Sequence, residues 1–419
     1  MAYVMRLRPA DEPFKRGRLS TVWATGTSNP VSALEQTGAL GLFFLAAAAT
    51  LTISVPDPLL SWGYALGICL LAGVYAIRDL IHAPSLSFRW REIALVGIGS
   101  WGWLQWAAGA TEYGYATLDA AVRASAWTGT AFVAARALAH PSMRLRFLRV
   151  LAGAGFTLSV VGVLAAFTSA GRVLWLWPSA YPEVWGPFQS RNDFAGFLEL
   201  SLPAALWLGA AKRVERGAPQ PIFLWMAAAI FAGGIASASR AGAILLVFEA
   251  VVALSLLRKG KAALAFALAA LLMVGIAGAG TLLGRFSDPD PLRYRREIAH
   301  STLQMISERP WQGYGLGTFE HVYPEFATFD AGALVEHAHN EWLEWAAGGG
   351  LPYVALWLLL AVSVAPRAVR SVWGLGVIAV LLHAVVDYPF ARHGLTAWNF
   401  ALIGILGADE VREVGFRAH

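Results

Sequence analysis

Twelve stretches of mostly apolar residues dominate this chain, at roughly 35–54, 58–77, 92–110, 117–137, 147–168, 191–211, 220–237, 240–257, 262–283, 342–363, 371–387 and 394–409. A helix of about 20 apolar residues crosses the hydrocarbon core of a bilayer. Inside lipid every backbone N–H and C=O must be satisfied within the segment, which leaves helices as the natural form for such runs. Only 14% of the residues are charged and 57% are hydrophobic, whereas soluble domains carry about 25% charged residues. The sequence therefore predicts an all-α polytopic membrane protein of about twelve transmembrane helices. One long polar stretch, 284–341, interrupts the series between the ninth and tenth spans. Three segments are expected: 1–283 with nine spans behind an N-terminal tail, a helix-containing catalytic loop at 284–341, and 342–419 with three spans and a short tail.

Basic residues set the orientation. An even number of spans puts both termini on one side, and 22 of the 32 Lys and Arg fall there. Arg123 lies within a span, and the other nine lie opposite: Arg172, Arg191, Arg240, Arg285, Arg293, Arg295, Arg296, Arg309 and Arg392. Short loops rich in Lys and Arg stay cytoplasmic. Both termini are expected in the cytoplasm and the 284–341 loop on the outer face, which in a bacterium is the periplasmic side of the inner membrane. The tail with Arg6, Arg8, Lys15, Arg16 and Arg18 reads as cytoplasmic and not as a signal peptide, since the first apolar run begins only near residue 35. The net charge of +5 is scattered between apolar runs and is no nucleic-acid footprint. The single cysteine, Cys69, excludes an internal disulfide.

The nine outward basic residues are all Arg. Topology selects against basic residues on that side, so another use is implied. Guanidinium binds phosphate bidentately and keeps its charge at working pH. A phosphate-bearing ligand at the outer face is expected, the alternative being ion pairs with Asp288, Asp290, Glu297 and Glu308.

The polar loop also holds His300, His321, His337 and His339. His339, in His337-Ala338-His339-Asn340 just before the tenth span, is placed to take a proton from a hydroxyl or to tether a helix start. His337 reads as its partner, as a metal ligand or as a loop residue. No further HxH or HExxH spacing supplies a third ligand, so no metal is expected. Arg191 opens the sixth span in RNDFAG and Arg240 the eighth in SRAG. Each either reaches into a site at the interface or simply snorkels, with Ser239 and Gly242 permitting close helix packing in the second case. Arg293, Arg295 and Arg296 fall on a helix expected over about 293–308, with Ile298, Met305 and Ile306 on its apolar face and Pro310 at its end. GYGLGTF reads as a tight glycine-rich turn, since it lacks the GK[ST] of a phosphate loop. Asp288-Pro289-Asp290 reads as a turn. Asp119 with Arg123, and His383 with Asp387, are expected to neutralise each other at i,i+4. With other charge collected outside the spans, a secondary transporter is disfavoured. No nucleotide fingerprint, cysteine cluster or GxSxG appears, so no cofactor is expected and the substrate must carry its own activation, as a lipid-phosphate donor does.

His339-Asn340, nine residues, Gly350, two residues and Tyr353 resembles the HN-x9-G-x-x-[GTY] signature of bacterial O-antigen ligases. REIAHSTLQMISERPWQGYGLGTFEHVYPEF resembles the loop shared with O-antigen polymerases and protein O-oligosaccharyltransferases, and RNDFAG and SRAG resemble two shorter patterns of that superfamily. The resemblance implies metal-independent, inverting transfer of a glycan from undecaprenyl pyrophosphate to a sugar of lipid A–core. It implies that His339 is the general base and that Arg191 and Arg295 hold the pyrophosphate, with Arg293, Arg296, Arg240, His337 and Asn340 as further binding residues. The Arg293-Tyr294-Arg295-Arg296 cluster leaves open which arginine is the equivalent one. The acceptor, and with it ligase against polymerase, is not readable from the donor-side residues.

Overall fold

The computed structural model describes residues 31–55, 58–82, 89–179, 181–210, 220–287, 293–330, 332 and 334–408. The tail arginines, the basic clusters at 212–216 and 412–417, and Asp288-Pro289-Asp290 lie outside the described residues. The chain is mainly helical: α1 (Ala33–Leu51), α2 (Pro58–His82), α3 (Trp90–Ala107), α4 (Gly114–Ala137), α5 (Pro141–Thr168), α6 (Arg191–Ala210), α7 (Ile222–Ala236), α8 (Arg240–Leu257) and α9 (Gly260–Ala277). Then follow α10 (Gly280–Phe286), α11 (Arg293–Glu308), α12 (Phe319–Phe326), α13 (Glu341–Arg370), α14 (Leu375–His383) and α15 (His393–Gly407). A two-residue hairpin, β1 (Arg172–Val173) against β2 (Trp177–Pro178), is the one sheet among the described residues.

Each predicted apolar stretch lies over a helix. Among the described residues six helices are long and apolar enough to cross a membrane: α1, α2 over Trp62–His82, α5, α8, α9 and α13. The others are shorter or carry polar residues, and α14 has only nine residues. Large apolar side chains such as Leu66, Leu70, Ile77, Phe248, Leu268 and Ile276 stand exposed on the outer faces of α2, α8 and α9. In water such surfaces would drive aggregation, whereas in a bilayer they meet hydrocarbon. The protein is a multi-pass membrane protein. Its core is aromatic: Trp345 and Trp357 stack at 3.9 Å, and Phe390 and Phe400 pack on Trp357.

The polar loop contains the expected helix. Helix α11 runs Arg293–Glu308 and buries Ile298, Ser301, Thr302 and Met305. Beyond it the glycine-rich turn lies on the backbone of α13. Tyr314 N donates to Ala347 O and Gly315 N to Gly348 O, both at 2.9 Å. Gly313 adopts φ 65°, and a Cβ there would meet Gly348 O at 2.3 Å. Gly350 breaks α13 with φ 76° and ψ 173°, a conformation open to glycine. The kink frees Leu351 N to donate to Pro310 O at 2.8 Å. From the bundle side Gln105 of α3 clamps the same turn: its Nε2 donates to Gln312 O and Gly348 O, and its Oε1 accepts from Leu316 N. The loop is thereby fastened to the spans through main-chain groups that would otherwise be orphaned.

Two expectations about charge need correction. Asp119 and Arg123 do pair, and Trp62 also donates to Asp119 at 2.7 Å. His383 and Asp387 do not pair. A turn continues past α14, with Asp387 N donating to His383 O at 3.0 Å, but each side chain takes another partner. The His383 imidazole instead meets Glu199 at 2.9 Å, and Asp387 meets His339. Nor is charge confined to the ends of the spans, because Glu199 and Glu249 lie buried in the middle of α6 and α8. Glu199 is matched by His383, while neither Glu249 oxygen has a hydrogen-bond partner among the described residues.

Candidate active site

The sequence around His339 is held from two sides. Asn340 caps α13, its Oδ1 accepting from Leu343 N at 3.1 Å. Glu344, one turn in, folds back: its carboxylate accepts from Ala338 N at 2.9 Å and meets His337 Nδ1 at 3.0 Å. Both acids of that first turn, Glu341 and Glu344, also suit the positive end of the helix. On the other side, Glu341 N donates to Ala384 O at 2.8 Å, and the buried Glu341 carboxylate accepts from Phe390 N at 3.1 Å. The segment 337–340 is thus pinned against the connection between α14 and α15. Pinning forces His339 into the left-handed region at φ 51°, a strain of about 1–3 kcal/mol for a residue other than glycine.

That conformation turns the His339 ring toward Asp387, with Nδ1 and Oδ1 3.4 Å apart. A carboxylate only accepts, so this contact favours the proton on Nδ1 and leaves the Nε2 lone pair available in the neutral ring. Burial alone would push Asp387 up. The hydrogen bond from His339 and the neighbouring His383 and Arg295 outweigh it and hold the carboxyl below the usual range. Asp387 is therefore ionised at neutral pH and fit to orient an imidazole. Tyr388 stands beside both histidines, stacked on His337 at 4.2 Å and tilted to His339 at 5.2 Å. Burial pushes its phenol upward, so it stays neutral. His337 is also buried, which pushes its imidazole down, but the Glu344 carboxylate outweighs this and holds it above its ordinary value.

A cavity of about 200 Å³ opens beside this pair. Its lining combines His339, Asp387 and Tyr388 with Arg191 and Asn192 from the start of α6, Arg285 at the end of α10, and the 181–190 connection. Arg191 and His339, about 150 residues apart in the chain, face one space. Arg191 is half-buried, and its ion pair with Glu183 is loose at 3.8 Å. The 181–190 connection is anchored where Gln189 N donates to Ser54 Oγ at 3.1 Å. Helix α6 starts at Arg191 on the cavity's edge, so the positive end of its dipole lies there, a usual setting for an anion, although Asn192 N already donates to Ser190 Oγ at 3.1 Å. Asn192 is in turn held by Ser239, which donates to it at 2.8 Å while capping α8. A Cβ on Gly242 would meet Ala195 at 2.4 Å, so SRAG brings α8 onto α6 as the close-packing reading expects.

The remaining arginines are used differently. Arg295 donates to Val386 O at 2.6 Å and contributes to the charge on Asp387, so it supports the His339–Asp387 pair from behind. Arg293 and Arg296 are exposed on α11 and are not among the residues lining the cavity. Arg240 donates to Arg285 O at 3.1 Å, and Arg285 donates to Ala238 O at 2.8 Å. Arg240 thus positions the arginine that reaches the cavity. Arg309 pairs with Glu112 at 2.5 Å, and Arg392 with Asp193 at 3.1 Å, so some outward arginines do meet acids, though not those expected. Sequence reasoning missed Asp387 and Arg285 as cavity residues, and Tyr181 and Tyr388 altogether. Asp387 was hidden by its helical spacing to His383.

No curated protein matches the chain. Residues 223–358, from α7 to past the kink in α13, match the family model described as O-antigen ligase. The matched stretch carries Arg240, Arg285, Arg295, His337 and His339, while Arg191 and Asp387 complete the cavity from outside it. Over this segment the chain resembles the O-antigen ligase family.

Proposed function

We propose that the protein is an O-antigen ligase. It moves a glycan from undecaprenyl pyrophosphate to a sugar hydroxyl of lipid A–core, without a metal ion and with inversion at the anomeric carbon. The observation that carries this reading is the meeting of Arg191 and an Asp387-backed His339 on one cavity. In the reaction, His339 Nε2 takes the acceptor hydroxyl proton as the oxygen bonds to the anomeric carbon. The bond from that carbon to the pyrophosphate oxygen breaks, and undecaprenyl pyrophosphate leaves with the negative charge. Arg191, Arg285 and the N-terminal turn of α6 face that charge, and Arg295 keeps Asp387 ionised. Fixed donors aimed at developing charge are commonly the largest catalytic term. The cavity end of the bundle is then periplasmic and both termini cytoplasmic, with 284–341 as the catalytic loop between two sets of spans.

A polymerase or a protein O-oligosaccharyltransferase would share the donor, so the acceptor discriminates. Deletion of the encoding gene is expected to leave lipid A–core without attached O-antigen while polymerised donor accumulates. Shortened chains on intact lipopolysaccharide would mark a polymerase, and loss of a glycoprotein would mark a protein glycosyltransferase.

A further inference from the structure

A second cavity, of about 310 Å³, also borders His339. Tyr181, His339 and Tyr388 line both spaces, so the two adjoin. The chemistry of the two differs. The first is lined by Arg191 and Arg285. The second has no Lys or Arg in its lining among the described residues, and adds Tyr294 from α11 together with Glu336 and His337. The positive charge favoured on His337 is already answered by Glu344, 3.0 Å away, while Glu336 is exposed to the cavity's solvent. A phosphate entering here would meet a carboxylate and no guanidinium. A sugar ring would find what it needs: the exposed ring of Tyr294 for its C–H surface, with the rim of Tyr388 and polar groups for its hydroxyls.

Displacement with inversion brings the incoming hydroxyl to the carbon from the side opposite the leaving group. The base must therefore lie on the acceptor's side of that carbon, and the acceptor needs a space bordering the base and apart from the groups that hold the pyrophosphate. We propose that this second cavity is the acceptor subsite, seating a sugar ring that bears no phosphate against Tyr294 and Tyr388, with its reactive hydroxyl turned to His339. The proposal rests on the glycosyl-transfer reading above and adds where the acceptor sits and what kind of ring it is. Tyr294 is exposed, lies tilted to Phe329 with ring centroids 5.8 Å apart, and does not line the arginine cavity. It is a specificity residue whose removal leaves the donor site intact.

The test is steady-state kinetics of the purified full-length protein in nanodiscs, with undecaprenyl-pyrophosphate glycan and lipid A–core each varied in turn. Tyr294→Ala is expected to raise the acceptor KM about fivefold or more, with the donor KM unchanged, and Tyr294→Phe to restore it. Glu336→Arg is expected to improve use of a core phosphorylated on the target ring relative to the unphosphorylated one. The donor KM doubles as a control for folding. An unchanged acceptor KM in Tyr294→Ala, or a rise confined to the donor KM, overturns the subsite while the transferase reading stands. Absence of transfer by the wild-type protein would remove both.

Discussion

His339→Ala is expected to lower glycan transfer by about 10²- to 10⁴-fold, the range for loss of a positioned general base. The fold should survive, because the segment is held by groups other than the His339 ring. Asn340 caps α13, Glu344 binds Ala338 N, and Glu341 N donates to Ala384 O. Loss of the side chain also removes nothing from the aromatic core around Trp357 and Phe390. Asp387→Asn should cost less, since the base remains but loses the carboxylate that orients it at 3.4 Å. Turnover measured beside detergent-solubilised yield and thermal unfolding separates the two effects. Full activity in His339→Ala at wild-type yield would end the general-base role.

Arg191→Ala is expected to lower turnover by about 10²- to 10³-fold, the loss seen when one donor to a developing oxyanion is removed. Arg191→Lys should recover little of it, because an ammonium cannot repeat the bidentate fork that guanidinium offers to phosphate. The structure makes the experiment clean. The ion pair of Arg191 with the exposed Glu183, at 3.8 Å, is too long and too wet to matter much for folding. A Lys variant with near wild-type turnover would argue for a simple point charge in place of a phosphate clamp. Kinetics at saturating acceptor, with the donor lipid varied, provide the readout.

How much of this was legible in the sequence follows from what a one-dimensional pattern encodes. Apolar runs report burial or lipid contact directly, and each of the twelve lies over a helix. Helix α11 was readable to the residue because its apolar spacing and the following Pro310 are local signals. The glycine turn was readable as a turn, but its partner was not: that GYGLGTF lies on Gly348–Gly350 depends on a kink that only the packed chain reveals. His383 and Asp387 show the opposite failure. The i,i+4 rule ignores partners from elsewhere in the fold, and here Glu199 takes His383 while His339 takes Asp387. Glu199 and Glu249 carried a plain signal, each a lone acid inside an apolar run, and such residues usually mark buried partners or function. The arginines as a set were informative, yet the choice among them was not. Arg285 reaches the cavity because Arg240 and Ala238 fix its backbone and guanidinium, a relation with no counterpart in residue spacing.

The central claim is a single displacement at an anomeric carbon held between an arginine cavity and a base. It is tested most directly by the configuration of the product. Purified protein would be given an undecaprenyl-pyrophosphate glycan of known anomeric configuration, lipid A–core and EDTA, and the new linkage read by NMR. The account predicts transfer in the presence of the chelator with the anomeric configuration inverted. Retention of configuration, or transfer that stops when metal is removed, would contradict it.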